Sequence, residues 1–262
     1  MNDFFELMDI SYYSSDLNGS SLIVSEKNGS IRFISDSMGF ISPDHFKKCV
    51  RFYPEDDFIF TTTDSSLGLR VWDREKEKEV YQYPMDSLGT HEYSRNGIIA
   101  SICESGIKFF DLRTRYHISS LSYSLAEGLV WNGDNLFVFN SQSIIQNNIQ
   151  NGTQTEIDVS SVQNIFISSG ELFYVVLKNS KYWLVKNNLS FEIETVGWEG
   201  GVAEDGTIYI FGNNEIKFYT RTDNKLVDLK FIKRIDDIKF SRFNTYLFAD
   251  KKLYIKEGSL FQ

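Results

Sequence analysis

One spacing recurs along this chain and limits what it can fold into. An apolar strand, a turn, a second strand, a short loop and a third strand repeat about every 37 residues. The clearest copy runs from Val50-Arg51-Phe52-Tyr53 through Phe58-Ile59-Phe60-Thr61 to Leu69-Arg70-Val71-Trp72-Asp73. A second runs from His91-Glu92-Tyr93 through Ile98-Ile99-Ala100-Ser101 to Ile107-Lys108-Phe109-Phe110-Asp111, and a third closes the chain at Leu253-Tyr254-Ile255. Measured at the first residue of the third strand, the units fall at Ile31, Leu69, Ile107, Ser143, Tyr182, Ile216 and Leu253, in steps of 38, 38, 36, 39, 34 and 37. A fixed period of this size means one supersecondary unit stacked many times, each unable to bury its apolar face alone.

Outer strands complete the units, at Glu79–Tyr83, Tyr116–Ser119, Gln154–Ile157 and Phe191–Glu194. Asn96-Gly97, Asn132-Gly133, Ser169-Gly170 and Asp205-Gly206 separate first from second strands and supply the positive-φ positions of tight hairpins. Composition agrees: 22 Phe, 14 Tyr and 4 Trp stand against four alanines, Ala100, Ala126, Ala203 and Ala249. Rings suit pleated surfaces and alanine suits helices, so helical bundles and Rossmann-like folds are excluded. Four short antiparallel strands per unit describe a β-propeller blade. The expected fold is all-β, a seven-bladed propeller occupying residues 1–262 as a single domain. Asp3–Leu7 should supply the outer strand of the last blade, and Met8–Tyr13 the first inner strand.

At the third-strand ends, Val71-Trp72-Asp73 and Phe110-Asp111-Leu112 resemble the repeat-ending signature of WD40 proteins. Val50-Arg51-Phe52-Tyr53-Pro54 and Ile238-Lys239-Phe240-Ser241 resemble the opening strand of the same repeat. The resemblance is good in units two and three and poor in four and five, which leaves six or eight blades open. Within the family, residues 49–122 resemble the substrate-recruiting adaptors of transcription-coupled repair. No unit carries the Gly-His pair that precedes well-formed WD40 repeats; Gly89-Thr90-His91 comes nearest. The family's His/Ser/Trp/Asp hydrogen-bond network is therefore expected to be missing or degraded, with apolar burial between blades in its place.

Residues that carry chemistry are scattered. His45, His91 and His117 fall in different units, and Cys49 and Cys103 read as small buried hydrophobes. Neither a metal site nor a nucleophile is expected, and no cofactor. Glu55-Asp56-Asp57 and Asp236-Asp237 read as solvent-facing turn or cap residues, and 74–79 as a solvated turn of alternating charge. Gly200-Gly201 reads as relief for an inner strand crowding the propeller axis, and Trp198 as an interblade plug in preference to a binding aromatic. The net charge of −9 opposes direct nucleic-acid binding, which depends on neutralising phosphates. No basic region followed by a long apolar stretch opens the chain, and no run approaches about 18 apolar residues. A soluble intracellular protein without a membrane span is expected, nuclear or cytoplasmic.

In the WD40 arrangement, the loops from outer to next inner strand share one face with those from second to third strand. Mapped here by that resemblance, the face gathers Glu26, Lys27, Asp44, His45, Lys47, Asp64, Glu104, Lys178, Lys181, Trp198, Glu199, Asp236, Lys251 and Lys252. This mixed, acid-leaning ring with one aromatic suits one or more protein partners offering a basic or mixed-charge segment. The resemblance implies a non-catalytic scaffold or adaptor subunit of a multiprotein complex. The competing expectation is a hydrolase with carboxylates in an axial pocket.

Overall fold

Strands form where β-branched and aromatic residues alternate, and they stop at glycine, asparagine and serine turns. The computed structural model describes residues 4–257 except 11, 19–20, 35–38, 42–48, 55, 65–67, 95, 124, 188, 194–197, 204, 213, 221–224, 231–233 and 242–243. In chain order the strands are β1 (Phe5–Asp9); β2–β5 (Tyr12–Asn18, Ser21–Glu26, Ser30–Phe33, Gly39–Ile41); β6–β9 (Cys49–Tyr53, Asp56–Asp64, Gly68–Asp73, Lys78–Tyr83); and β10–β13 (Ser87–Tyr93, Ile98–Cys103, Gly106–Asp111, Tyr116–Leu121). There follow β14–β17 (Gly128–Asn132, Asn135–Phe139, Ser143–Asn148, Gln154–Asp158); β18–β21 (Val162–Ser168, Glu171–Lys178, Lys181–Lys186, Leu189–Ile193); β22–β25 (Glu199–Val202, Ile208–Gly212, Glu215–Thr220, Lys225–Lys230); and β26–β28 (Asp237–Phe240, Asn244–Ala249, Lys252–Glu257). Among the described residues no helix is long and apolar enough to cross a membrane.

Six sheets take their four strands in sequence order, and the seventh has the order β1-β28-β27-β26. These are the blades of a seven-bladed β-propeller. Third strands begin at Ser30, Gly68, Gly106, Ser143, Lys181, Glu215 and Lys252, each within one residue of the spacing read from the sequence. The N-terminal strand completes the last sheet, with Phe5 opposite Ile255 and Asp9 opposite Lys252. It extends two residues past the expected Leu7, because Asp9 still pairs with β28 and the Ile10 N–H then donates to the Lys251 carbonyl at 2.8 Å. The first inner strand accordingly starts at Tyr12 instead of Met8.

Two compact units divide the chain, residues 11–136 and residues 1–10 with 137–262. In each, aromatic rings pack between consecutive sheets. In the first unit, Ile23, Ile31 and Phe33 meet Val50, Phe52, Phe60 and Trp72, with Phe33 edge-on to Phe60 at 5.3 Å. Leu69, Val71 and Tyr83 then meet Ile99 and Phe110, with the Tyr83 and Phe110 ring centres 4.6 Å apart. In the second unit, Phe173 and Leu184 meet Ile208 and Tyr219, and Tyr209 and Phe218 meet Phe240 and Leu247. Each buried ring removes about 150–250 Å² from water, which at about 25 cal/mol per Å² makes these layers the main cohesive force between sheets.

The polar network survives in part. The Trp72 Nε1–H donates to Thr62 Oγ1 at 2.9 Å. His91, which lacks the preceding glycine, is fully buried and reaches Thr61 Oγ1 of the preceding sheet at 2.7 Å, where the Tyr93 hydroxyl also donates. Burial first and the Arg51 charge second hold this imidazole well below its ordinary pKa, so it acts as a neutral bridge.

Two side chains expected to face solvent are buried, and the paired glycines answer to a neighbour in their own sheet. Asp237 is buried, its Oδ1 accepting from the Ile238 N–H at 2.7 Å and its Oδ2 lying 3.3 Å from Lys239 Nζ. Arg74, expected in a solvated turn, is buried with its guanidinium 4.5 Å from the Phe33 ring centre. Gly200 and Gly201 relieve crowding inside their own sheet. A Cβ on Gly200 would overlap the Tyr209 carbonyl, and one on Gly201 would lie 2.5 Å from the Tyr209 hydroxyl.

Candidate partner-binding surfaces

The hairpins joining second to third strands carry Glu26, Lys27, Asp64, Glu104, Lys178, Lys181, Lys251 and Lys252 at equivalent ends of their own sheets. In unit 11–136, Lys27 and Glu104 are exposed in their turns, and Asp64 ends β7 opposite Gly68. Glu26 differs: it is 3% exposed, and its Oε2 accepts from Arg32 Nε at 2.9 Å, so its charge is spent within the sheet. Asp44, His45 and Lys47 lie outside the described residues.

In the other unit, Lys178 and Lys181 flank the two-residue Asn179-Ser180 turn, whose φ angles of 51° and 62° are those of a type I′ hairpin. Asp250-Lys251 repeats that turn at 52° and 62° before Lys252. Lys181 pairs with Glu192, and Lys252 pairs with Glu6 of the N-terminal strand at 2.7 Å. Asp236 is exposed, and its backbone N–H donates to the Phe248 carbonyl at 2.7 Å.

Trp198 sits between β21 and β22 and is 41% exposed. Its ring lies 5.9 Å from Tyr182, and its carbonyl accepts from Asn164 Nδ2 at 3.1 Å. One face thus touches the neighbouring sheet while the rest of the indole meets water, so the plug reading holds for only part of the ring. Glu199 follows it. Desolvation of the carboxyl, then the Asp237 charge, raise its pKa, although the residue as a whole is exposed. Asp236 adds to that effect, and Arg234 and Lys239 oppose it. The indole is thus followed in sequence by a carboxyl that feels two other carboxylates and two cations.

Cys49 and Cys103 are buried, and burial raises both thiol pKa values, which disfavours the thiolate. His117 is exposed on an outer strand with Ser120 Oγ 3.0 Å from its Nε2. Among the described residues no three His, Cys, Asp or Glu side chains cluster to hold a metal ion.

A cavity of about 230 Å³ lies between the second and third sheets, within unit 11–136. Tyr53, Tyr81 and Tyr83 line it with Ile59, Val71, Val80 and Leu112, and Arg113 and Arg115 complete the lining. The Tyr81 and Tyr83 rings meet edge-on at 4.6 Å. The Tyr83 hydroxyl donates to the Asp111 carbonyl at 3.3 Å, and burial pushes its pKa up to about 12. Sequence reasoning missed this site. Its signal was present in two tyrosines two apart on an outer strand and two arginines within three residues of the facing turn.

No family model matches the chain, and no curated protein matches it. Solved structures do. The chain is similar to the structure of U3-55K, with a TM-score of 0.76 and 11% identity over 98% of each chain. At that identity the likeness shows the fold alone. The match spans nearly the whole chain, so all seven sheets share in it. The narrower likeness of residues 49–122 to the repair adaptors finds no support in these comparisons.

Proposed function

We propose that the chain is a non-catalytic scaffold or adaptor subunit of a multiprotein complex, formed as a single propeller domain over residues 1–262. The hairpin ends, with Trp198 as anchor, hold a basic or mixed-charge segment of a protein partner. Trp198 carries this reading: of the four tryptophans it alone is exposed. An indole left in water forgoes about 25 cal/mol for each Å² of apolar surface, which a partner recovers by covering it. Tryptophan is prominent among residues that dominate interface energies, and adjacent carboxylates set register and speed encounter with a basic segment. The propeller serves as the rigid frame, and no bond is made or broken. The competing hydrolase reading requires carboxylates facing each other across an axial cleft.

The test is binding of a fluorescein-labelled, lysine-rich peptide with interspersed acids, followed by polarisation. Trp198→Ala and Glu199→Lys should each weaken it about tenfold while leaving the melting temperature within a few degrees of the parent. Unchanged binding in both variants would remove the site. A native protein purified at cellular concentration as a monomer without a stoichiometric partner would overturn the scaffold role.

A further inference from the structure

Two equivalent turns, one in each of the second and third sheets, differ at one informative position. The turn after β8 runs from Asp73 to Glu77, and the turn after β12 runs from Asp111 to Arg115. In both, the aspartate organises the turn: Asp73 Oδ1 accepts from the Lys76 N–H at 2.9 Å, and Asp111 Oδ1 accepts from the Arg113 N–H at 2.9 Å. In both, the last residue takes a positive φ, 50° at Glu77 and 62° at Arg115. The turn therefore accepts either charge at that place, and the arginine in the third sheet is not required by the backbone.

The two cavity arginines are also unequal. Arg113 is held by Asp111, its Nε and Nη2 bonding the two carboxylate oxygens at 3.0 and 2.8 Å. Arg115 places its guanidinium 5.9 Å from the centre of the Tyr81 ring, and among the described residues no carboxylate is ion-paired with it. A chain of net charge −9 thus keeps, beside an aromatic, aliphatic cavity, a guanidinium with no carboxylate ion-paired to it among the described residues.

We propose that this cavity docks an acidic segment of a partner protein. The segment inserts one aromatic or large aliphatic side chain among Tyr53, Tyr81 and Val80 and sets a neighbouring carboxylate on Arg115. The volume falls below the roughly 300–1,000 Å³ of small-molecule and cofactor sites, so it suits a single side chain. Tyrosine and arginine are typical of interface anchor pockets, and a guanidinium beside an apolar wall binds a carboxylate with less solvent competition than one surrounded by water. Nucleic acid fits worse, because it needs several cations for its phosphates, and the aliphatic walls offer no groups to its base edges. The site is independent of the Trp198 surface and selects the opposite charge.

Polarisation binding decides it, using a fluorescein-labelled peptide with one central phenylalanine flanked by aspartates and glutamates. Two control peptides replace the acids with lysines or the phenylalanine with serine. The acidic phenylalanine peptide should bind saturably and more weakly as salt rises, with both controls about tenfold weaker or worse. Arg115→Glu and Val80→Asp should each reduce binding about tenfold, and Arg115→Lys should restore most of it. Both positions are exposed, so melting curves should match the parent. Trp198→Ala should leave this binding unchanged, which separates failure here from failure of the basic-segment surface. Four results would each overturn the proposal: no saturable binding, equal binding of the lysine peptide, unchanged binding in both Arg115→Glu and Val80→Asp, or displacement by oligouridylate. So would a parent dimer, seen by sedimentation, that Arg115→Glu dissolves, since the occupant would then be a second copy of the chain.

Discussion

Around the second and third sheets three rings lie under arginines: Trp72 under Arg70, Phe33 under Arg74 and Tyr81 under Arg115. At the connection from the fifth to the sixth sheet, Trp198 turns outward just before Glu199, whose carboxyl feels the charges of Asp237 and Asp236. Both regions draw on the same aromatic-rich alphabet. The partner charge and the depth of the ring decide whether an aromatic seals a sheet or awaits a partner. A recessed ring under a cation gives a pocket for an anion carrying an apolar group. A projecting ring beside carboxylates gives an anchor for a cation-bearing segment.

The sharpest way to break this contrast is to remove one tryptophan from each region. Trp72 is 2% exposed, stacked on Phe60 and hydrogen-bonded to Thr62. Trp72→Ala should cost about 3–5 kcal/mol in urea unfolding, and Trp198→Ala about 0.5 kcal/mol or less. Equal losses would place Trp198 in the core.

Acid titration gives a smaller, opposite pair of effects. Asp73 and Asp111, which end β8 and β12, are held below the usual carboxylate range by hydrogen bonds from the Lys76 and Arg113 side chains. Their folded pKa values lie below the unfolded value of about 3.9. Their stabilisation is therefore complete above that value and is lost as pH falls through the folded values. Glu199 has the reverse sign. Its raised folded pKa gives a contribution complete below the unfolded value of about 4.3 and lost as pH rises through the folded one. Asp73→Asn and Asp111→Asn should flatten the acid limb of a stability–pH curve. Glu199→Gln should leave that limb in place and raise stability slightly at neutral pH. An unchanged acid limb in the aspartate variants would show that their partners do not stabilise the folded state.

The smallest effect tests whether charge at a hairpin end serves binding or only fills a turn. Lys251 holds a φ of 62° in a type I′ turn, a conformation glycine takes without penalty. Lys251→Gly should stabilise by about 0.5–1 kcal/mol in thermal unfolding. If it also leaves the lysine-rich peptide's affinity intact, the binding surface contracts toward Trp198. A destabilised variant would mean that the lysine side chain makes a contact worth more than the backbone relief.

The blade period was legible because third strands lie between two neighbours and keep their apolar alternation. Even at Ser143 and Tyr182, where the repeat-ending letters are absent, strands start within one residue of the spacing. Turn dipeptides were legible for a local reason: Gly97, Gly133, Gly170 and Gly206 all take positive φ. Side chains whose environment is set across strands or sheets were not. Arg74 needed Phe33, and Glu26 needed Arg32, before either could be read as covered. The tyrosine–arginine cavity depends on residues from Tyr53 to Arg115, a span that no local pattern marks.

The seventh sheet has a temporal consequence. Glu6 and its partner Lys252 are 246 residues apart in sequence, so β1 is made long before the strand it pairs with. Such a pairing has the largest loop-closure cost in the fold and belongs late in folding. Until then β28 presents an open edge to any other nascent copy, whose β1 carries the same complementary register. Crowded synthesis should therefore favour exchange of this strand between molecules, a route to swapped oligomers set by the order of translation.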